Sequence, residues 1–131
     1  TCYRGLTPLK TYPVVLGNDS YNDKLCQGDT CTPEGVYRVR AKYPHPKWDL
    51  FIWLDYPNTQ NWLKFSRAKK AGRISPTADI SGQIGIHGTE DPFKNIIGQN
   101  WTKGCISLHN KDLEEIYPLV NDKTLVVITK Q

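Results

Sequence analysis

No stretch of this sequence approaches the about 20 consecutive apolar residues that a membrane-crossing helix requires. No C-x-x-C or H-x-x-x-H pair is present, so there is no ready zinc site, and neither metal nor cofactor is expected. Histidine is scarce, at 3 residues, and cysteine stops at 4. No internal repeat, low-complexity tract or linker divides the chain. No nucleic-acid motif and no interleaving of basic and aromatic residues on a strand face is found, which sets nucleic acid aside as a partner. No targeting segment is visible. The chain opens abruptly at Thr1-Cys2-Tyr3-Arg4-Gly5, which reads as the middle of a strand or hairpin. A trimmed or processed start, lacking an N-terminal strand or leader, is therefore expected.

The 131 residues suffice for one domain, 1–131, around a single hydrophobic core. The net charge of +4 is spread along the chain, with one basic cluster at Lys64, Arg67, Lys69, Lys70 and Arg73. A solvated helix face is the simplest account of it, and attraction to an anionic polymer the alternative.

Residues 8–16 carry Leu9, Val14, Val15 and Leu16 around Thr11 and Tyr12 and predict a strand. Residues 17–32 are rich in turn formers. Val36 to Ala41 alternates as a half-buried strand does. Tyr43 to Trp48 holds Pro44 and Pro46 and is expected to be irregular, with His45 in an exposed loop. Phe51 to Leu54 is a short buried strand. Trp48, Trp53 and Trp62 are expected in the core, with a lid as the alternative use. Asn58 or Thr59 caps a helix reaching Ala71, stopped by Gly72, with Trp62, Phe65 and Ala68 on its apolar side. Glu90 to Trp101 predicts a mobile loop. Asn110 reads as the cap of a second short helix, with Leu113, Ile116, Tyr117 and Val120 as its stripe and Pro118 disturbing its end. Residues 124–129 form a last strand. Composition and pattern alone give a β-rich α+β domain.

The chemistry concentrates between Ile84 and Asn110. Ile84 and Ile86 alternate with Gly85 and His87, so the isoleucines point to a core and His87 ends a strand on the opposite face. Eighteen residues later Cys105 follows Gly104, which permits an unusual backbone and close approach of a ligand. Backbone N–H groups around Gly104 and Cys105 suit a developing oxyanion. A thiol becomes a nucleophile when a neighbouring base takes its proton, and an imidazole titrates in the right range. His109 is the competing base. In an extended segment it stands about 13 Å from Cys105, and only an immediate helix would bring the two together. The plainer alternatives are a buried cysteine, or half of a disulfide, beside a surface histidine.

Four cysteines allow three pairings. With Cys105 as nucleophile, one pair at most forms among Cys2, Cys26 and Cys31. Cys26 and Cys31 bracket a Gly-Asp turn, and Cys2 is an alternative partner for either. A disulfide would fit an extracytoplasmic compartment.

His87-Gly88, a variable loop, and then Thr102-Lys103-Gly104-Cys105-Ile106-Ser107-Leu108-His109-Asn110 resemble the signature of the L,D-transpeptidase (YkuD) catalytic domain family. Two further blocks match in order: Gly28-Asp29 with Thr32-Pro33-Glu34-Gly35-Val36-Tyr37-Arg38-Val39, and Lys10 to Gly17. There are two departures. Lys103 stands where the signature has a second His, and Ser107 where an Arg is frequent, which puts a carboxylate-gripping role in doubt.

The resemblance implies a mainly β fold, a β-sandwich-like mixed sheet with two short α-helices and the Cys in a groove. It implies a cysteine acyl-transferase working through a Cys105 thioester on peptidoglycan stem peptides. The amine that resolves it would come from a cross-linking residue, an amino acid or a lipoprotein. His87 would be the base, with the Gly88 carbonyl orienting it. Thr102, Lys103, Ser107 and Asn110 are candidates for shaping the cleft. A periplasmic, envelope or secreted location is expected. Two alternatives stand beside this: a hydrolase using the same Cys/His pair to cut stem-peptide or wall–lipoprotein links, and a non-catalytic wall-binding module with Cys105 in a disulfide.

Overall fold

A computed structural model describes residues 1–130. Its centre is a five-stranded sheet built from β3 (Gly35–His45), β4 (Asp49–Leu54), β5 (Gly85–His87), β6 (Ile106–Ser107) and β7 (Leu125–Ile128). The strand order is β6-β5-β4-β3-β7. All neighbours run antiparallel except β5 and β6, which are parallel. A separate hairpin joins β1 (Cys2–Arg4) to β2 (Thr7–Lys10). The helices are α1 (Thr59–Lys70), α2 (Pro92–Ile96) and α3 (Asn110–Ile116), followed by a 3-10 turn at Tyr117–Leu119. The chain is mainly β with a mixed sheet and few short helices, as expected, with α2 in addition. No described helix is long and apolar enough to cross a membrane.

In β3 the pattern read from the sequence holds: Tyr37 and Val39 are buried while Val36, Arg38 and Arg40 face outward. They join Ile52, Leu54, Tyr56, Ile84, Leu108, Leu113, Ile116 and Ile128 in one core. The expectation that Tyr43 to His45 is irregular fails. β3 continues through Pro44, pairing Tyr43 with Phe51 and Pro44 with Leu50. The proline is tolerated because β7 pairs only with Gly35–Arg38, so β3 has a strand on one side alone at that point. The strand expected over residues 8–16 is shorter, ending at Lys10, and Val15 returns to the sheet only as a bridge to Ser107.

The tryptophans do not fill the core. Trp62 is exposed on α1, and Trp53 lies on the outer face of the sheet under Arg40, whose guanidinium is 4.4 Å from the ring centroid. Trp48 belongs to the site described below.

Helix α1 starts where the sequence says. The Asn58 side chain accepts from the Asn61 N–H, and the Asn61 side chain accepts from the Asn58 N–H, a reciprocal cap. Gly72, at φ +69°, supplies the left-handed residue just past Ala71. Phe65 and Ala68 are buried, and Asn61 donates to the Tyr37 hydroxyl at 3.0 Å, which locks the helix to β3. Helix α3 corrects an expectation: His109, not Asn110, is its N-cap, without a side-chain bond. The Asn110 side chain is engaged elsewhere.

Replacing Asn58 by Ala removes the half of the cap made by its side chain and the bond from its amide to the Val36 carbonyl, and leaves the backbone N–H of residue 58 to donate to Asn61. Urea denaturation of Asn58→Ala is expected to show a loss of about 1 kcal/mol with an unchanged m value.

Candidate active site

Strands β4, β5 and β6 set the site. In the register Phe51↔His87 and Ile86↔Ile106, residues 85 and 87 of β5 share a face with residue 107 of β6 and with Cys105, the residue that enters β6. His87 and Cys105 thus stand on one face of two adjacent parallel strands, two residues out of step. His109 has no such relation to the thiol. The chain from Cys105 to Ser107 is extended and α3 begins only at Asn110, so the separation of about 13 Å for extended chain applies.

The two isoleucines at β5 lie as expected, Ile84, just before the strand, in the core and Ile86 against it. The opposite face of the strand is not a solvent face. His87 is only 1 % exposed. Trp48 stacks on its ring at 4.2 Å between centroids, Phe51 stacks at 5.9 Å, and Trp101 meets it edge-on at 5.8 Å. His45 stacks on the far side of Trp48 at 4.6 Å, its Nδ1 accepting the N–H groups of Lys47 and Trp48. The hairpin tip between β3 and β4 is therefore the cover of His87. Asp49 in left-handed conformation, φ +64°, makes that tight tip possible.

A buried polar chain holds the imidazole from behind. His87 Nδ1 lies 2.6 Å from the Gly88 carbonyl oxygen, so Nδ1 carries the proton and the lone pair is on Nε2. The Ser107 hydroxyl donates to the same carbonyl at 3.0 Å. Asn95 donates to the Ser107 oxygen at 2.9 Å and to the Leu108 carbonyl at 3.0 Å, while the Trp101 indole donates to Asn95 at 2.8 Å. Asn110 holds the next residue at both ends, accepting from the Thr89 N–H at 2.8 Å and donating to the Thr89 carbonyl at 3.0 Å. A side chain on Gly88 would collide with the Asn110 side chain and the Trp48 carbonyl, so only glycine fits there.

The Cys105 thiol donates to the Gln83 carbonyl at 3.6 Å. Thr102 closes the turn before it, its hydroxyl donating to the Cys105 carbonyl at 2.6 Å and accepting the Gly104 N–H at 3.1 Å. Gly104, at φ +139°, packs so closely on the backbone of residue 31 that an added Cβ would sit 2.7 Å from the Cys31 carbonyl. Its N–H is spent on Thr102, whereas that of Cys105 has no partner among the described residues.

The expected cleft residues divide accordingly. Lys103 is exposed. Thr102 and Ser107 are buried, at 4 % and 0 %, and with Asn110 they support the site from the interior instead of lining it. Asn95, Trp101 and Gln83 were not foreseen, and Trp48 takes a covering role, the alternative to a core position, over the imidazole. Asn95, Trp48 and Trp101 act through long-range packing that leaves no local pattern.

All four cysteines are free thiols. The Cys26–Cys31 pairing is not formed: the Cys31 thiol is buried and donates to the Asp29 carbonyl at 3.4 Å. Asp29 does the work of closing that loop. Its carboxylate accepts the N–H groups of Leu25, Cys26 and Cys31 and the buried Lys24 ammonium, the last at 2.7 Å. Among the described residues no three metal-ligating side chains converge.

Burial pulls the His87 imidazole down to about 4; the Gly88 carbonyl opposes this and His45 adds to it. Burial pushes the Cys105 thiol up to about 11, against the smaller pulls of the Gly85 N–H and the Lys24 ammonium. Near neutral pH the pair is therefore thiol and neutral imidazole, not thiolate and imidazolium. Such a pair does general-base chemistry: the imidazole is free to receive a proton when the sulfur attacks.

The sequence profile of the L,D-transpeptidase catalytic domain (YkuD) matches residues 1–128, and the chain belongs to that family. A putative L,D-transpeptidase YkuD of Bacillus licheniformis is 30% identical over 100 residues, which is 76% of this chain and 46% of the relative. The chain thus spans about half the length of that relative. Among solved structures, the helical cell shape determining protein Pgp2 of Campylobacter jejuni superposes with a TM-score of 0.63 at 25% identity, covering 90% of this chain and 37% of that one. An L,D-transpeptidase from Mycobacterium smegmatis has the same fold, with a TM-score of 0.58 at 13% identity over 95% of this chain and 51% of its own.

An unfolded His87 takes up its proton near 6.5, the folded one near 4, so between those values the unfolded chain binds the extra proton. The contribution to stability is complete above pH about 6.5 and is lost as pH falls toward 4, in total about 3 kcal/mol. Urea unfolding across this window is expected to show that loss in the wild type and a flatter profile in His87→Gln.

Proposed function

We propose that this chain works as one catalytic domain, a cysteine acyl-transferase acting on peptidoglycan stem peptides in the cell envelope or periplasm. The observation that carries the reading is Cys105 and His87 on one face of adjacent strands, with the His87 tautomer fixed by the Gly88 carbonyl. Family membership supports the substrate class.

The resting thiol points to the Gln83 carbonyl, and the reaction requires it to turn toward the imidazole by rotation about χ1. His87 Nε2 takes the thiol proton as sulfur attacks a stem-peptide carbonyl. The tetrahedral oxyanion forms against the Cys105 N–H. The imidazolium then protonates the leaving amine as the C–N bond breaks, and a thioester remains. A second amine attacks the acyl carbon, His87 takes its proton and returns it to the sulfur as the C–S bond breaks. The Nδ1–H···O bond to Gly88 keeps Nε2 as the reactive nitrogen through both halves. Residues at the position of the frequent Arg serve differently here, since Ser107 holds the Gly88 carbonyl and grips no substrate.

Incubation with a defined stem tetrapeptide and an amine acceptor, followed by mass analysis, tests this. A transient acyl adduct on Cys105 and a new amide product are expected. Cys105→Ala should abolish both, and His87→Ala should slow turnover by about 10²–10⁴-fold. His109→Ala should keep most of the activity; a loss equal to that of His87→Ala would overturn the assignment of the base. Release of the leaving amine with water as the only acceptor would instead assign a hydrolase.

A further inference from the structure

The His87 ring has no anion to lean on. Its Nδ1 faces a backbone carbonyl, and among the described residues no carboxylate pairs with it. In acyl transfer through Cys105 the ring must nevertheless become an imidazolium, in a place where burial opposes charge. What lies against it instead is π surface. The Trp48 indole stacks on the imidazole at 4.2 Å between centroids, with 17° between the planes. Phe51 is nearly parallel to the same ring, at 5.9 Å and 10°. A cation over an indole face is attracted by the quadrupole of the ring, more strongly where water is excluded.

The indole is held for that contact by ring and backbone together. His45 stacks on its far face at 4.6 Å and 10°, so Trp48 is clasped between two imidazoles. His45 Nδ1 accepts the Trp48 N–H at 3.2 Å, and the Trp48 carbonyl accepts the N–H groups of Leu50 at 2.8 Å and Gly88 at 2.9 Å. The last of these bonds ties the residue that carries the indole to the residue whose carbonyl orients His87. Pro44 and Pro46, on either side of His45, narrow the backbone freedom of the segment that presents it. Only Trp48 thus meets His87 both through its ring face and, by way of Gly88, through its backbone.

We infer that Trp48 is a positioning residue for the reaction: its π face stabilises the imidazolium of His87, the part an aspartate plays in other triads, and His45 clamps the indole in place from the far side. The indole makes and breaks no bond. The thiol proton passes to Nε2 as the C–S bond forms, and the charge so created arises on a ring already stacked against Trp48. The resting imidazole is neutral, so the attraction is stronger in the transition state than before it, which is the condition for raising kcat. The inference rests on Cys105 and His87 as the reacting pair for its place in catalysis, but the contact itself is read without turnover.

Fluorination drains charge from the indole face and barely alters its shape, so the protein is prepared with tryptophan, then monofluorinated, then difluorinated tryptophan. Two quantities are read in each: the His87 titration midpoint by ¹⁵N NMR, and turnover of a stem tetrapeptide with an amine acceptor. The midpoint should fall stepwise below about 4. Over the series kcat should fall about tenfold with KM unchanged. In Trp48→Phe protein, where the other tryptophans still carry the label, both trends should vanish. Flat series, or equal trends with and without Trp48, overturn the inference. His45→Ala should raise the His87 midpoint toward 6.5, because a loosened indole readmits water and burial is the larger cause of the depression. His45→Phe, which keeps a ring on the far face, should bring it part of the way back. An unchanged midpoint in His45→Ala also overturns the inference. A midpoint that follows fluorination in a protein with no turnover removes the acyl-transfer reading and leaves the stacked partner standing.

Discussion

One backbone carbonyl, that of Gly88, carries the site. It accepts the Nδ1 proton of His87 and the hydroxyl proton of Ser107 at once. The first bond decides which ring nitrogen is basic; the second fixes the carbonyl. Ser107 in turn is held by Asn95, and Asn95 by Trp101, so α2 and the turn before the thiol are tied to the same point. Apart from the His87 Nε2 lone pair, every side-chain polar atom of this chain has a partner, as a buried polar network needs if it is to order a site rather than weaken it. The absence of a side chain at residue 88 follows directly, because the space is filled by Asn110 and by the Trp48 carbonyl.

Burial under Trp48, Phe51 and Trp101 has an electrostatic consequence. An imidazole so placed does not hold a proton at neutral pH, and a thiol so placed does not lose one. In the proposed reaction this protects the thiol from adventitious oxidants and electrophiles until a carbonyl is in position, since the thiolate is the reactive form. The same burial makes the fold sensitive to acid through His87 over a pH range above that of ordinary carboxylates. Stability and chemistry share one cause here.

Much of this was legible in the chain. Asn58 and Gly72 bracket α1 because cap chemistry is local. The alternation in β3 survives because one face is core and the other solvent. Strand periodicity made it legible that His87 ends one short apolar alternation and Cys105 begins another, but that the two strands are parallel neighbours is a matter of topology. Other features were not legible. Pro44 masked the continuation of β3, because the missing strand partner that makes it harmless is a matter of topology. Helix α2 did carry a signal, Asp91 as cap with Pro92 in the first turn, but Gly98 and Asn100 obscured it. Asn110 looked like a cap, yet its amide is taken by Thr89, a contact across 21 residues that no local pattern announces. Trp48 looked like core and instead covers the imidazole.

The most direct measurement is the pH dependence of the His87 ring nitrogens by ¹⁵N NMR. The account predicts a neutral imidazole at pH 7 with the proton on Nδ1, held in slow exchange by its bond to the Gly88 carbonyl, and titration only near pH 4. A proton on Nε2 at pH 7, or titration at or above the ordinary value of about 6.5, would contradict it.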